Sequence, residues 1–426
     1  MRVLWFSLSP CGSIRRNKNQ YLSQGWMISL EDEIKKNPSI ELYVAYFSEK
    51  AESQFNFNGV HYIPMGERRS KNVLKRFVNL YKPLSLRDKE KIPWMLDAVK
   101  TSNPDIIHIH GTEDSFGLVA DYVDNIPIVF SIQGLIAPYS EKYFSGIPEP
   151  YVAKTDKMSA ILKNVGTRFQ WKKFLYNAKR ECGYLKKSKY ILGRTFWDEY
   201  CTLALNPKRQ YYIVDEILRT DFYNCMWTSH NNRKYVKIVS TISAGVYKGI
   251  ETVLRTAQNL KAYSDINFEW HIAGYDNKTN MLKAAENYTG IHYSNCNIVL
   301  HGKVDADELS ALLVDSDIYV HASHIENSPN SVCEAMLVGM PVIASNTGGT
   351  SSMLTDGIEG LLVQDGDSFV LAGAIVKLVK DKELSTRLGR AARIRAIERH
   401  SPKRVASQLQ NAYQQIIKDY ENTVRK

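Results

Sequence analysis

The run His321-Ala-Ser323-His324-Ile-Glu326-Asn-Ser328-Pro329-Asn330-Ser331-Val332-Cys-Glu334 places two carboxylates seven residues apart, and it continues through Gly339, Pro341 and Ala344 to Gly348-Gly349. It reads as strand, loop, helix, strand and glycine turn. Ser331-x-x-Glu334 has the form of a capping box, which predicts a helix beginning near Ser331 with its first N–H groups free. Such a helix end, with the positive pole of its dipole, suits an anion such as a diphosphate. Gly348-Gly349 lets a second backbone approach closely. Glu326, in the loop, is placed to accept a hydrogen bond from a ligand hydroxyl. Glu334 has two readings: a helix cap, or an acceptor for both hydroxyls of a ribose. His108-x-His110 puts two imidazoles on one strand face. That spacing suits a metal, but no third ligand lies nearby, so one histidine reads as structural and His110 as lining a cleft. His321 and His324 with Glu326 form a second conceivable metal set, and the reading here is that they hold none.

The elements that must position these residues alternate between strand and helix. Val3–Leu8, Glu41–Phe47, Ile106–His110, Ile128–Ile132 and Tyr190–Leu192 read as strands, with helical patterns near 20–36, after Leu118 and across 150–188. The same grammar restarts at Tyr235–Ser240 and continues with strands at Glu269–Ile272, Asn297–Leu300, Ile318–His321 and Val342–Ala344. Helix follows from Phe369 to Arg399, breaks at Ser401-Pro402, and resumes from Val405 towards Arg425. Strands alternating with helices imply parallel sheets covered on both faces. A chain of 426 residues exceeds the roughly 250–300 that one core supports. Two domains are therefore expected, with a hinge near Val214–Thr228: residues 1–214, completed by the last helix over 405–426, and residues 215–404.

Hydrophobic residues at 44% and charged residues at 23% exclude a disordered chain. The net charge of +10 resides wholly in the first half, because residues 1–220 hold 33 Lys/Arg against 23 Asp/Glu and residues 221–426 hold 22 of each. Two stretches dominate, Arg68–Lys91 and Lys163–Arg194, the second with ten basic residues and one acid, Glu181. Either is a solvated helix face or a surface for nucleic acid, an anionic membrane or an anionic substrate. The six cysteines show no metal-ligand spacing and read as free thiols. The N-terminus reads as a buried strand rather than a signal sequence, and no apolar run nears the roughly 18 residues of a membrane span. A cytoplasmic location is expected, at most peripheral on the inner membrane face.

The segment Ser323, Glu326, Glu334-Ala335-Met336, Gly339, Pro341-Val342-Ile343-Ala344, Gly348-Gly349 resembles the signature of glycosyltransferase family 4. Tyr247-Lys248-Gly249-Ile250, Ile272-Ala273-Gly274, Leu300-His301-Gly302-Lys303-Val304 and Asp356-Gly-Ile-Glu-Gly360-Leu-Leu-Val363 resemble further elements of that family, strongly across 235–400 and loosely across 1–134. The resemblance implies an α/β GT-B fold, two facing Rossmann-like domains with a cleft. It also implies a retaining reaction that needs no metal, with a UDP-, GDP- or ADP-sugar as donor. Lys248 would stabilise the departing diphosphate and Glu326 would position the donor sugar. Glu334 would hold the ribose, and Asn330, Ser331 and Val332 the phosphates. Lys303 and Val304 would border the base, Gly274 would line the donor side, and Gly12 would approach sugar and acceptor with His110.

Two departures stand out. The family's usual Arg five residues before the Lys is Ser243, so Arg194 is taken as the second cation on the diphosphate. The usual His-Gly is Gln133-Gly134, and Gln133 can donate to a sugar oxygen but cannot serve as acid or base near neutral pH. The expected function is sugar transfer to a glycan or polyprenyl-linked acceptor, in surface polysaccharide or glycolipid synthesis, beside an anionic membrane. Two alternatives are an epimerase on the same fold, which would turn over donor alone, and a basic nucleic-acid-binding protein. The second leaves the Glu326–Glu334 loop unexplained, shows no nucleic-acid module, and is not expected.

Overall fold

The computed structural model describes residues 1–16, 25–49, 52–66, 79–230 and 233–424. The described chain divides into two compact units. The first comprises Met1–Ser140, Ser159–Ile217 and Pro402–Lys426, and the second Glu141–Met158 and Leu218–Ser401. A single cut at residue 214 therefore does not describe the chain, because 141–158 pack with the second unit.

The first unit holds an eight-stranded sheet in the order β3-β4-β2-β1-β5-β6-β7-β8. Its strands are β1 (Arg2–Phe6), β2 (Glu41–Phe47), β3 (Phe55–Phe57), β4 (Val60–Met65), β5 (Ile106–His110), β6 (Ile128–Ser131), β7 (Tyr190–Gly193) and β8 (Gln210–Ile213). Every pairing is parallel except β3 with β4. Strand β1 shows why both faces are covered. Val3 and Trp5 enter one core, with the helices Trp26–Ile34 and Pro402–Val424, while Leu4 and Phe6 enter the opposite core. This is the near-continuous apolar reading of a strand buried on both sides. Tyr413 of the last helix ties that layer to the sheet: its hydroxyl accepts from Trp5 Nε1 at 2.9 Å and meets His108 Nδ1 at 2.6 Å. The stretch 150–188 forms three helices, Glu149–Ala153, Met158–Leu162 and Thr167–Leu185. Of the first basic stretch, Arg68 to Arg76 lie outside the described residues.

The second unit holds an all-parallel six-stranded sheet in the order β11-β10-β9-β12-β13-β14. Its strands are β9 (Val236–Thr241), β10 (Phe268–Ala273), β11 (Ile298–Gly302), β12 (Ile318–His321), β13 (Val342–Ser345) and β14 (Leu361–Val363). Ile238, Ile318 and Val320 face one core; Val239 and Tyr319 face the other. The inserted segment 141–158 joins the first of these through Ile147 and Val152, both buried. Among the described residues no helix is long and apolar enough to cross a membrane, and all six cysteines are free.

In each sheet the chain steps to one side of its first strand and later returns to the other side, at β1/β5 and at β9/β12. Such switch points leave a crevice beyond the carboxyl ends of the strands, where open α/β sheets bind ligands. The chemistry-bearing residues fall there.

Candidate active site

In the second unit, the loops following β9 and β12 flank the switch point, and one supplies Lys248 while the other supplies Glu326. Lys248 ends a short 3-10 turn, Val246–Lys248. Gly249 follows with φ +75°, where a Cβ would collide with the carbonyl oxygen of Ala322. Only glycine permits the turn to press against the β12 loop. Gly348 does the same from the far side: its φ is +52° and a Cβ would collide with the carbonyl oxygen of Glu326, the oxygen that accepts from Gly349 N at 2.9 Å. The backbone of Glu326 is thus held by the glycine turn after β13.

Between these glycines the Lys248 ammonium donates to Glu326 Oε1 in an ion pair. His321 Nε2 lies 3.7 Å from the same oxygen. Burial alone would raise the Glu326 pKa, but Lys248 and His321 outweigh it and hold the carboxyl at about 2. Glu326 is therefore a permanent acceptor. His324 turns elsewhere. Its Nε2 is 2.7 Å from Glu251 Oε1 and its Nδ1 is 3.3 Å from Asp365 Oδ2. Burial opposes charge on this imidazole, and the two carboxylates prevail, so it titrates above its ordinary value. His321, His324 and Glu326 consequently do not converge on one point as a metal set requires. The His324 backbone links the same parts, because its N–H donates to Tyr247 O at 2.8 Å and its carbonyl accepts from Thr347 Oγ1 at 2.6 Å.

The helix after the loop runs Asn330–Val338 with Pro329 at its N-cap and no side-chain cap. The expected capping box is not formed. Pro329, whose ring supplies no N–H and fixes φ near −65°, takes the cap position two residues before Ser331, so Ser331 lies inside the helix and Glu334 in its second turn. Relieved of capping, Glu334 meets a residue to which no motif pointed: Arg219 donates Nε and Nη2 to its two oxygens, each at 2.7 Å. Burial pushes the Glu334 carboxyl up while Arg219 pulls it down, and the two-pronged geometry is that of a charged pair. Asn330 Oδ1 is buried and makes no hydrogen bond. Val332 is buried in the core and its N–H donates to Pro329 O at 3.0 Å, so neither its side chain nor its N–H is open to a ligand. Gly274 follows β10 with its N–H on Gly302 O at 2.7 Å, and Lys303 is exposed just after β11, next to the half-buried Val304.

A second missed feature is the insertion. Tyr143 packs edge-on against Tyr247, ring centroids 6.1 Å apart, beside Lys248. Gly146 lies against the His324–Glu251 pair, where a Cβ would crowd both side chains.

The remaining expected residues belong to the first unit. Gly12 is buried in the 3-10 turn Cys11–Arg16 and donates its N–H to Glu31 Oε2 at 2.9 Å. His110 ends β5, buried against Trp5 at 4.6 Å, with neither ring nitrogen hydrogen-bonded. Burial, then His108 and Arg194, keep it neutral. Gln133 borders Gly111, as does Glu113, a carboxyl that burial raises to about 7 and whose Oε2 has no partner. Nothing in the spacing singled out Glu113. Arg194 is buried, with its guanidinium 4.4 Å over the Trp26 ring and 3.5 Å from Glu216 Oε2. It is thus engaged inside the first unit, whereas the cation paired with Glu334 of the Asn330 helix is Arg219.

Two α/β units with parallel sheets, each open at its switch point, define the GT-B class of glycosyltransferase folds. Residues 227–395, within the second unit, match the sequence model of the family Glycosyl transferases group 1. Among known relatives, an uncharacterized glycosyltransferase of Methanocaldococcus jannaschii is 24% identical over 172 residues, covering 40% of this chain and 43% of its own. The capsular polysaccharide biosynthesis glycosyltransferase CapM of Staphylococcus aureus is 28% identical over 155 residues, covering 35% of this chain and 40% of its own. The match thus spans less than half the length of either relative. Among solved structures, Anabaena HepE in complex with UDP-glucose superposes with a TM-score of 0.62 at 14% identity, covering 97% of this chain and all, 100%, of the other.

Proposed function

We propose that the protein moves a sugar from a nucleoside diphosphate sugar to a glycan or polyprenyl-linked acceptor, with retention at the anomeric carbon, in the synthesis of a surface polysaccharide or glycolipid. The observation that carries this reading is the Lys248–Glu326 pair at the switch point of the group 1 sheet. Transfer expels a nucleoside diphosphate, so negative charge grows on the leaving phosphate oxygens. A fixed ammonium aimed there stabilises the transition state more than the ground state. Lys248 supplies that charge, and the reading calls for no metal ion. Glu326, ionised at any working pH, accepts hydrogen bonds from donor-sugar hydroxyls. The first N–H groups of the Asn330 helix, at its positive pole, receive the diphosphate, with Asn330 and Ser331 as side-chain contacts. Glu334 keeps lone pairs beyond those Arg219 occupies, enough for ribose hydroxyls. Lys303, Val304 and Gly274 border the base.

HepE in complex with UDP-glucose supports a uridine donor, and GDP- or ADP-sugars remain in the same class. CapM, a capsular polysaccharide enzyme by name, supports the polysaccharide setting. On this reading Gly12, His110 and Gln133 serve the acceptor or sugar side, and the protein works in the cytoplasm on the inner membrane face. The test is a thermal-shift panel of UDP-, GDP- and ADP-sugars, since a ligand that binds only the folded state raises its stability. One of them is expected to shift the native protein, with the shift abolished in Lys248→Met. If none shifts it, the donor site is wrong. Release of free nucleotide only when acceptor is added separates transfer from epimerisation.

A further inference from the structure

The first unit carries a surface that its own core does not use. The helix Met158–Leu162 has no buried residue. In the helix Thr167–Leu185 the buried residues are Ala178, Glu181, Tyr184 and Leu185, all in its second half. Between Ser159 and Leu175 only Gly166 is buried, so this stretch stands largely off the core. Yet it is not polar. Ile161, Leu162, Val165 and Leu175 are 52%, 61%, 47% and 43% exposed, and Trp171 and Phe174 stack on each other at 6.3 Å.

Its charge is one-sided. No Asp or Glu occurs between Ser159 and Arg180, while Lys163, Arg168, Lys172, Lys173 and Lys179 are exposed. Arg180 is the exception among the basic residues, turned inward onto Asp88 at 2.8 Å. On the helix, positions 168, 172, 175 and 179 recur at the spacing of one face, so Leu175 lies in a stripe flanked by Arg168, Lys172 and Lys179. Single exposed aliphatic residues on a soluble protein need no explanation. Four within fifteen residues, interleaved with lysines and free of acids, are a patch with a partner.

We propose that Ser159–Lys179 is the surface by which the protein docks on an anionic lipid bilayer, the aliphatic side chains entering the acyl boundary and the lysines meeting lipid phosphates. The composition decides between partners. Nucleic acid rewards cations and flat rings that stack on bases; it offers nothing to Ile161, Leu162, Val165 and Leu175. A bilayer interface takes both an apolar face and a cationic one. The inference rests on the transferase reading for its purpose, which is to bring the enzyme to a lipid-linked acceptor.

Flotation with vesicles of phosphatidylcholine, alone or mixed with phosphatidylglycerol, tests it on the full chain. The protein is expected to float with the mixed vesicles at low salt, and to float less at high salt. Leu162→Glu with Leu175→Glu, and separately Lys172→Glu with Lys173→Glu, are expected to cut the bound fraction at least tenfold. All four positions are exposed, so melting temperatures should be unchanged. A wild-type protein that stays at the bottom with the mixed vesicles overturns the proposal. So does flotation that the Leu162→Glu/Leu175→Glu variant retains in full, because a purely electrostatic surface is then at work, open equally to nucleic acid. The UDP-sugar shift, measured on the same samples, keeps the two readings apart. Flotation without any nucleotide-sugar shift sustains the surface and sinks the transferase, and a shift without flotation does the reverse.

Discussion

Replacing Lys248 by methionine removes the ammonium and keeps most of the side-chain volume. Glu326 then remains, buried, facing only His321 at 3.7 Å. In the wild type Lys248 and His321 bring its carboxyl from an ordinary 4.5 to about 2 against the effect of burial. That depression corresponds to about 3 kcal/mol of stability at neutral pH, in line with the roughly 3–5 kcal/mol lost when one partner of a buried ion pair is deleted. Because the folded-state pKa is depressed, the contribution is complete above the ordinary 4.5 and disappears as pH falls through about 2. Lys248→Met should thus lower the urea unfolding free energy by about 3 kcal/mol at pH 7, and the gap to wild type should close in strong acid. Glu326→Gln alone leaves a Lys248 side chain that is 21% exposed to water, and costs less. The double variant should regain most of what Lys248→Met loses, since neither charge is then stranded. Urea titrations of the four proteins at pH 7 form a double-mutant cycle, and its coupling should exceed about 1 kcal/mol. Additive single effects, with coupling below about 0.5 kcal/mol, would refute the pair as an energetic unit. Activity separates from stability here: the double variant is expected to be folded and yet to have lost transfer by about 100-fold or more.

Arg219→Lys replaces a two-pronged donor with a point charge, and nucleotide-sugar affinity should fall about tenfold, ~1.4 kcal/mol, in a thermal-shift titration; unchanged affinity removes Glu334 from the donor site. Gly348→Ala forces a Cβ onto the Glu326 carbonyl at φ +52°, so a stability loss above about 1 kcal/mol together with lost transfer is expected, and full activity would show that Glu326 tolerates displacement. His324 has a raised pKa in the folded state, so its contribution is complete below its ordinary 6.5 and is lost as pH rises through the raised value. Melting temperature should therefore decline on the alkaline side in wild type and be flatter in His324→Gln; parallel curves would mean that the Glu251–His324–Asp365 contacts carry no charge.

Local pattern made part of this legible. Strands β5 and β12 coincide with their expected spans because each is a short run buried on both faces and closed by a break. Strands β3, β4 and β8 were missed for physical reasons. Phe55–Phe57 is three residues long at a sheet edge, Val60–Met65 contains Pro64, and Gln210–Ile213 lies at the other edge with none of its residues buried. Lys248 and Glu326 were readable because each follows a strand of the switch point within a few residues. Arg219 was not, since 115 positions separate it from Glu334 and no local pattern encodes so distant a pairing. Ser331-x-x-Glu334 misled because the motif is real while Pro329 decides where the helix begins. Nor does the sequence of 141–158 say which sheet its two buried side chains will join.

The division of the chain between its units bears on how it can be made. Residues 141–158 are synthesised in the midst of the first unit but complete a core built from residues after 218, and Pro402–Val424 closes the first unit's sheet by way of Tyr413. During translation the first unit therefore waits, with the Trp5 face of β1 covered only in part by Trp26–Ile34, until Pro402–Val424 has been made, after the second unit has all its parts. Trp5 and the neighbouring strands must be shielded meanwhile by provisional contacts. A released chain truncated after residue 401 should consequently present a protease-sensitive first unit beside a resistant second one.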